Sequence, residues 1–231
     1  MEETYNLTAI ILNRRAQGEG DGRVTVYSLE RGKLELTVRG MKKIKSKLAG
    51  HLEPLTLGEI MAIRGRQYDY VGAAVSENCY ADIKNNLDKL TVAGEAVNIF
   101  NKLVKAGQAD EKLFNLLKDY LEILNSLDSG QLNSFFIFKL LSELGYKPEL
   151  YCCVNCGGKL APAGLKFDAS RGGLVCDKCP AEPGLTISEN SVKLLRLAEN
   201  CDLKKLVKIK TDKKTEKEAR IIMSSFLKYF L

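Results

Sequence analysis

The chain has 231 residues, 45% hydrophobic and 28% charged, and a formal net charge of +6. That balance is ordinary for a globular protein with one large or two modest domains, and the sequence contains no internal repeat or low-complexity segment. No apolar run approaches the roughly 18 residues of a membrane span, and the N-terminus lacks a signal-peptide pattern. The basic excess admits a polyanionic partner. The seven cysteines are odd in number and do not read as a secreted disulfide framework, so a reducing, cytoplasmic setting is expected.

Residues 4–77 read as strands. Tyr5–Arg14, Arg23–Leu29, Lys33–Val38, Leu55–Ile63 and Tyr68–Val75 carry apolar residues at a period near two, separated by Gly18–Gly22, Glu30–Lys33, a basic bridge and Arg64–Gln67. Five strands with tight glycine turns predict a small barrel of OB type, with an SH3-like barrel as the alternative. A short helix in the basic bridge would favour the OB form. From residue 80 the period becomes helical. Helices are expected over Ala81–Leu90 and Thr91–Lys105, and again after an N-cap at Asp110. A further helix starts at Asp128 or Ser129 and stops at Gly145 and Pro148. After an intervening cysteine segment come Ser188–Asn200 and a final helix from about Asp212 to Phe230. The fold class expected is therefore α+β. A five-stranded OB-fold domain over residues 1–79 precedes an α-helical domain over 80–231, into which a four-cysteine module is inserted at about 150–181.

That module holds Cys153, Cys156, Cys176 and Cys179, two C-x-x-C pairs separated by 19 residues that include five glycines and a proline. Each pair sets two sulfurs on one side of a tight knuckle, and two knuckles complete a tetrahedron around one soft ion. A single structural Zn²⁺ is predicted, with no open position for chemistry. A redox pair would need one reactive motif at a helix N-terminus rather than two matched knuckles; an iron–sulfur cluster is the other thiolate centre. Cys152, beside Cys153, is read as a bystander or a substitute ligand.

Residues 39–47 contain Arg39, Lys42, Lys43, Lys45 and Lys47 and no acidic residue. A solvated loop is the plain interpretation. Arg14, Arg15, Arg64 and Arg66 on neighbouring strands and turns add to it, however, and together these nine cations predict a groove for a phosphate backbone. Tyr27, Tyr68 and Tyr70 are candidate base-stacking residues. A second basic run sets Lys204, Lys205, Lys208, Lys210, Lys213, Lys214, Lys217 and Arg220 against Asp212, Glu216 and Glu218, in part an ordinary charged helix face. His51 is the only histidine. No P-loop, G-x-G-x-x-G or nucleophile elbow is present, so no catalytic residues and no enzyme activity are predicted.

Four stretches, in order, resemble the bacterial DNA repair protein RecO family. They are Thr8-Ala-Ile-Ile-Leu with Gly18-Glu19-x-Asp21; Gly32-Lys33 leading to Val38-Arg39-Gly40 and Lys45-Ser46-Lys47-Leu48; Leu52-Glu53-Pro54-Leu55; and Leu144-Gly145-Tyr146-x-Pro148 followed by Leu150-x-x-Cys153-x-x-Cys156-Gly157 and Gly172-Gly173-x-x-Cys176-x-x-Cys179. The chain departs from the family pattern in a slightly extended Asp21-Gly22 turn and in the additional thiol of Cys152. The resemblance implies a recombination mediator in DNA repair that binds single- and double-stranded DNA and anneals complementary strands. With RecR, it would assist RecA loading on DNA coated by single-strand-binding protein. It also implies docking of that protein's C-terminal tail, no membrane partner and a nucleoid-associated location. The alternative from the residues themselves is an RNA-binding or transcription-associated barrel with a zinc ribbon; a protein-interaction adaptor is a third class.

Overall fold

A computed structural model of the chain describes residues 3–43, 46–127, 130–161, 164–181 and 184–231. They fold as two compact units, Met1–Ser126 and Leu127–Leu231. Lys45, and the helix start expected at Asp128 or Ser129, lie outside the described residues.

The first unit is built on five strands, β1 (Thr4–Gln17), β2 (Asp21–Ser28), β3 (Gly32–Val38), β4 (Leu57–Ile63) and β5 (Tyr70–Asn78). Their order β1-β2-β3-β5-β4 closes into a barrel. β1 pairs antiparallel with β4 through Thr4–Ile10 and with β2 through Ala9–Gln17, bending at a register shift between Ile11 and Asn13. The circuit is completed by one parallel contact, Thr37 with Tyr70. Alternation sends Leu7, Ala9 and Ile11, Val24 and Val26, Leu36 and Val38, and Ile60 and Ala62 into one core, as a period of two requires. The segment Gly18–Gly20 is a tight turn, since Gln17 already pairs with Asp21. Residues 39–43 and 46–56 run as turns and bends, with Lys43 N–H donating to Gly40 O and His51 N–H to Leu48 O. No helix forms among their described residues, so the short helix that would favour the OB form is not seen in them.

Three helices complete this unit: α1 (Ala81–Lys84), α2 (Leu87–Leu103) and α3 (Glu111–Ser126). Where two longer helices were expected between 81 and 105, the chain breaks at Asn85–Asn86, because the Asn86 side chain caps α2 by accepting from Lys89 N–H at 3.1 Å. Asp110 caps α3 as its position predicts, accepting from Lys112 and Leu113 N–H. The helices are fastened to the β2–β3 hairpin. Tyr27 is fully buried with its ring edge-on to Phe100 at 5.0 Å. The Lys33 ammonium donates to Asn101 O at 2.6 Å, and Gly32, at φ +65°, has Gln108 O only 1.9 Å from where a Cβ would stand.

In the second unit α4 (Leu132–Glu143) packs against α5 (Glu189–Asn200), α6 (Leu203–Leu206) and α7 (Lys213–Leu227). The chain between α4 and α5 is thus an excursion from a helical core. Ser188, Asp202 and Asp212 cap the last three helices through their side chains. Glu218 on α7 accepts from Ser188 N–H at 2.9 Å and Ser191 Oγ–H at 2.7 Å, tying α7 to the start of α5. The excursion carries a three-stranded sheet that the sequence reading did not resolve: β6 (Lys166–Asp168), β7 (Gly173–Val175) and β8 (Gly184–Thr186), in the order β7-β6-β8.

Gly32→Ala combines a left-handed backbone with a backbone clash, so the first unit is expected to lose about 2–4 kcal/mol. Urea unfolding of the variant, followed by far-ultraviolet circular dichroism, measures the loss.

Candidate nucleic-acid interface and metal centre

Alternation along the barrel strands decides which cations share a face. Arg15 lies opposite Arg23 in the β1–β2 register, and Arg23 opposite Thr37 in β2–β3. Glu35, two residues before Thr37 in β3, meets both arginines at 2.9 and 3.3 Å. The Arg23 guanidinium continues over the Tyr68 ring, 4.0 Å from its centroid. Tyr68 lines an open cavity of about 1000 Å³ together with Arg39, Arg64, Arg66 and Tyr70. Arg39 stacks over Tyr70 at 4.2 Å, Arg64 pairs with the exposed Glu3 at 3.1 Å, and Arg66 is exposed. A track of guanidinium groups thus runs from Arg15 to Arg66, opposed by the carboxylates of Glu35 and Glu3. The exposed pairs Arg15–Glu35 and Arg64–Glu3 contribute little to stability, which leaves those two arginines available to an external anion.

The other sequence-predicted cations among the described residues make no contact with that track. Arg14 points the other way from Arg15, donating to Ala49 O at 2.9 Å. Lys42 donates to Gly18 O at 3.0 Å, where the basic loop folds onto the β1–β2 turn, and Gly40 N–H donates to Asp21 Oδ1 beside it. Lys43 and Lys47 are exposed. Of the candidate stacking residues, Tyr27 is core, Tyr70 is half-buried, and Tyr68 is exposed. Arg23 was not among the sequence candidates. Its place across from Arg15 was readable only once the β1–β2 register was known.

The four cysteines converge as their spacing predicts: the Sγ atoms of Cys153, Cys156, Cys176 and Cys179 all lie within 4.8 Å of one another. The backbone accounts for it. Residues 149–154 run along β7, with Leu174 N–H donating to Glu149 O and Val154 N–H to Leu174 O, so Cys153 is drawn beside Cys176 at the end of β7. Gly173 permits the approach, since a Cβ there would stand 2.5 Å from Val154 Cγ1. Cys153 N–H to Gly158 O and Gly157 N–H to Cys153 O close the first knuckle, and Cys179 N–H to Cys176 O the second.

Two of the four thiols, Cys153 and Cys179, shift in opposite directions. Burial opposes ionisation of Cys153, yet N–H groups of Cys176, Cys156 and Asn155 outweigh it and bring the thiol down to about 6. Cys179 is pushed up to about 12, first by its hydrogen bond to Cys176 and then by burial. One thiolate forms readily, and a further one so close to it does not. A bound metal ion removes that conflict. The geometry suits a tetrahedral ion: metal–sulfur bonds of about 2.3 Å imply S···S edges of about 3.8 Å, and Cys156 Sγ lies 3.9 Å from Cys176 Sγ. Cys152 is exposed and outside the cluster.

The two units thus define an α+β protein with a cationic five-stranded barrel and a cluster of four thiols that could hold a metal ion. Family models for the recombination protein O N terminal and C terminal match residues 1–79 and 84–231, respectively. The chain is 30% identical to the DNA repair protein RecO of Desulforamulus reducens over 98% of its own length and 90% of that protein. It is 30% identical to the RecO of Pelotomaculum thermopropionicum, over 98% of its own length and 89% of that protein. The match to the RecO of Dehalococcoides mccartyi is 28%, over 98% and 90%. The chain belongs to the RecO family.

Glu35 offsets two track arginines, so Glu35→Gln is expected to raise the salt concentration at which the chain elutes from heparin. An unchanged elution position would show that those arginines do not meet polyanions.

Proposed function

We propose that this chain is a DNA-binding recombination mediator in DNA repair. The barrel is an OB fold, and its cationic side binds strand backbones. One structural Zn²⁺ braces the second unit through Cys153, Cys156, Cys176 and Cys179. The observation that carries the binding role is the continuous run of Arg15, Arg23, Arg39, Arg64 and Arg66 on one side of the barrel. The strand order and the parallel closure through Thr37 and Tyr70 support the OB assignment, and OB barrels bind oligonucleotides on the face of strands 2–3 and neighbouring loops.

Mediation follows from charge neutralisation. Two complementary strands repel one another along their phosphates; cations that screen both lower the barrier to pairing, and no covalent bond is made or broken. Membership of the RecO family supports annealing of complementary strands, and RecA loading with RecR on DNA coated by single-strand-binding protein, as the task served. By the same membership, RecR and the C-terminal tail of single-strand-binding protein are the protein partners. The proposed site residues are Arg15, Arg39, Lys42, Lys43, Lys45, Lys47, Arg64 and Arg66; Arg14, turned to Ala49 O, is left out, and Arg23 joins the track by strand register as the residue that positions Tyr68. The working location is the nucleoid in the cytoplasm, and separate family models over residues 1–79 and 84–231 support a division of function near residue 80.

Replacing Arg39, Lys42, Lys43 and Lys45 together with Ala is expected to weaken binding of a single-stranded oligonucleotide. The slope of log affinity against log salt should become shallower by roughly 3 if all four meet phosphates. Fluorescence anisotropy over a salt series tests this, and an unchanged affinity and slope would remove the basic loop from the site. For the metal, Cys176→Ser is expected to abolish stoichiometric zinc by elemental analysis. It should also cost the second unit roughly 3 kcal/mol or more, while the barrel stays folded. Native protein without zinc would refute the centre.

A further inference from the structure

We propose that Tyr68 is a base-stacking platform, braced from behind by Arg23, that makes the cationic cavity select single strands over duplex. The proposal rests on the DNA-binding role and adds to it a residue that discriminates between two forms of DNA.

The arrangement around Tyr68 differs from that of an incidental surface tyrosine. The Arg23 guanidinium lies 4.0 Å from the ring centroid and is itself held in place. Its Nε donates to Gln17 Oε1 at 2.8 Å, and its Nη1 donates to Glu35 Oε2 at 3.3 Å. Only 15% of the Arg23 side chain is exposed. One face of Tyr68 is therefore covered by a fixed planar cation. Tyr68 as a whole remains 49% exposed and lines the cavity. A ring fixed in this way loses little rotamer freedom when a base lands on it, which is where an unbraced side chain forfeits affinity.

The neighbours supply the other half of a single-strand site. Arg39 has a stacking contact with Tyr70 and no ion pair among the described residues, so it can move to a phosphate without giving up a carboxylate. Arg66 is exposed on the same cavity. Cations serve single strands and duplexes alike. An aromatic face serves only bases that can be unstacked, and a duplex keeps its bases stacked on one another. The discrimination is therefore carried by Tyr68, and Arg23 is a positioning residue.

The test uses the full chain and three fluorescein-labelled probes: a single-stranded oligodeoxythymidylate, an abasic strand of the same length, and a duplex. The native chain is expected to bind the thymidylate about tenfold more tightly than the abasic strand. Tyr68→Leu should erase that preference while leaving affinity for the abasic strand and the duplex unchanged. Tyr68→Phe should keep the preference, and Arg23→Gln should reduce it severalfold. A Tyr68→Leu chain that still prefers the thymidylate overturns the proposal, as does one that loses all three probes while Tyr68→Phe does the same. Equal, salt-sensitive binding of thymidylate and abasic strand by the native chain overturns the platform and leaves the DNA-binding role standing. Binding of none of the probes overturns both.

Discussion

The first unit depends on β1 being hydrogen-bonded along its whole length to two different partners. Residues 4–10 pair with β4 and residues 9–17 with β2, so one strand has to turn from one sheet direction into another. The register shift between Ile11 and Asn13 supplies the bend. Ile11 N–H then donates to Thr56 O, and Leu55 N–H to Ile11 O, with Leu55 held at φ +60°. A leucine in that conformation is costly, and it is held by backbone bonds on both sides. Once β1 is bent, β2 and β4 are fixed at its two ends, and β3 and β5 meet to close the circuit.

Closure also sets the electrostatics. In a flat sheet the arginines of β1 and β2 and those of the β4–β5 turn would be separated by the sheet's width. The barrel brings Arg23 onto Tyr68 and places Arg39 beside Arg64 and Arg66 around one cavity. Like charges so close repel, and the fold moderates this with two exposed carboxylates and two aromatic faces rather than with buried ion pairs. A polyanion arriving there would compete with Glu3 and Glu35 for the exposed arginines.

The second unit solves a different problem. The excursion between α4 and α5 has three strands of three residues each, and its own cluster of buried residues is small, with two of the cysteines among them. Such a sheet cannot bury enough apolar area to order itself. The four thiols, all within 4.8 Å of one another, could hold a metal ion in place of the missing core.

The sequence by itself determined the local features. Period-two runs marked the five strands, and Asp110 and Asp212 marked helix starts. The C-x-x-C spacing marked the four thiols that converge, because each of these is settled within a few residues of chain. Only the tertiary structure decided what meets what. Tyr27 has the look of a barrel-face residue in sequence but is buried against Phe100, since helix α2 covers that side of the hairpin. The helices α1–α3 fold with the barrel and not with α4–α7, a choice that amphipathic periodicity leaves open because an apolar stripe does not name its partner. Arg23 and Tyr68 stand 45 positions apart in the chain and come together because of strand register and barrel closure. Both are non-local pairings that no window of sequence contains.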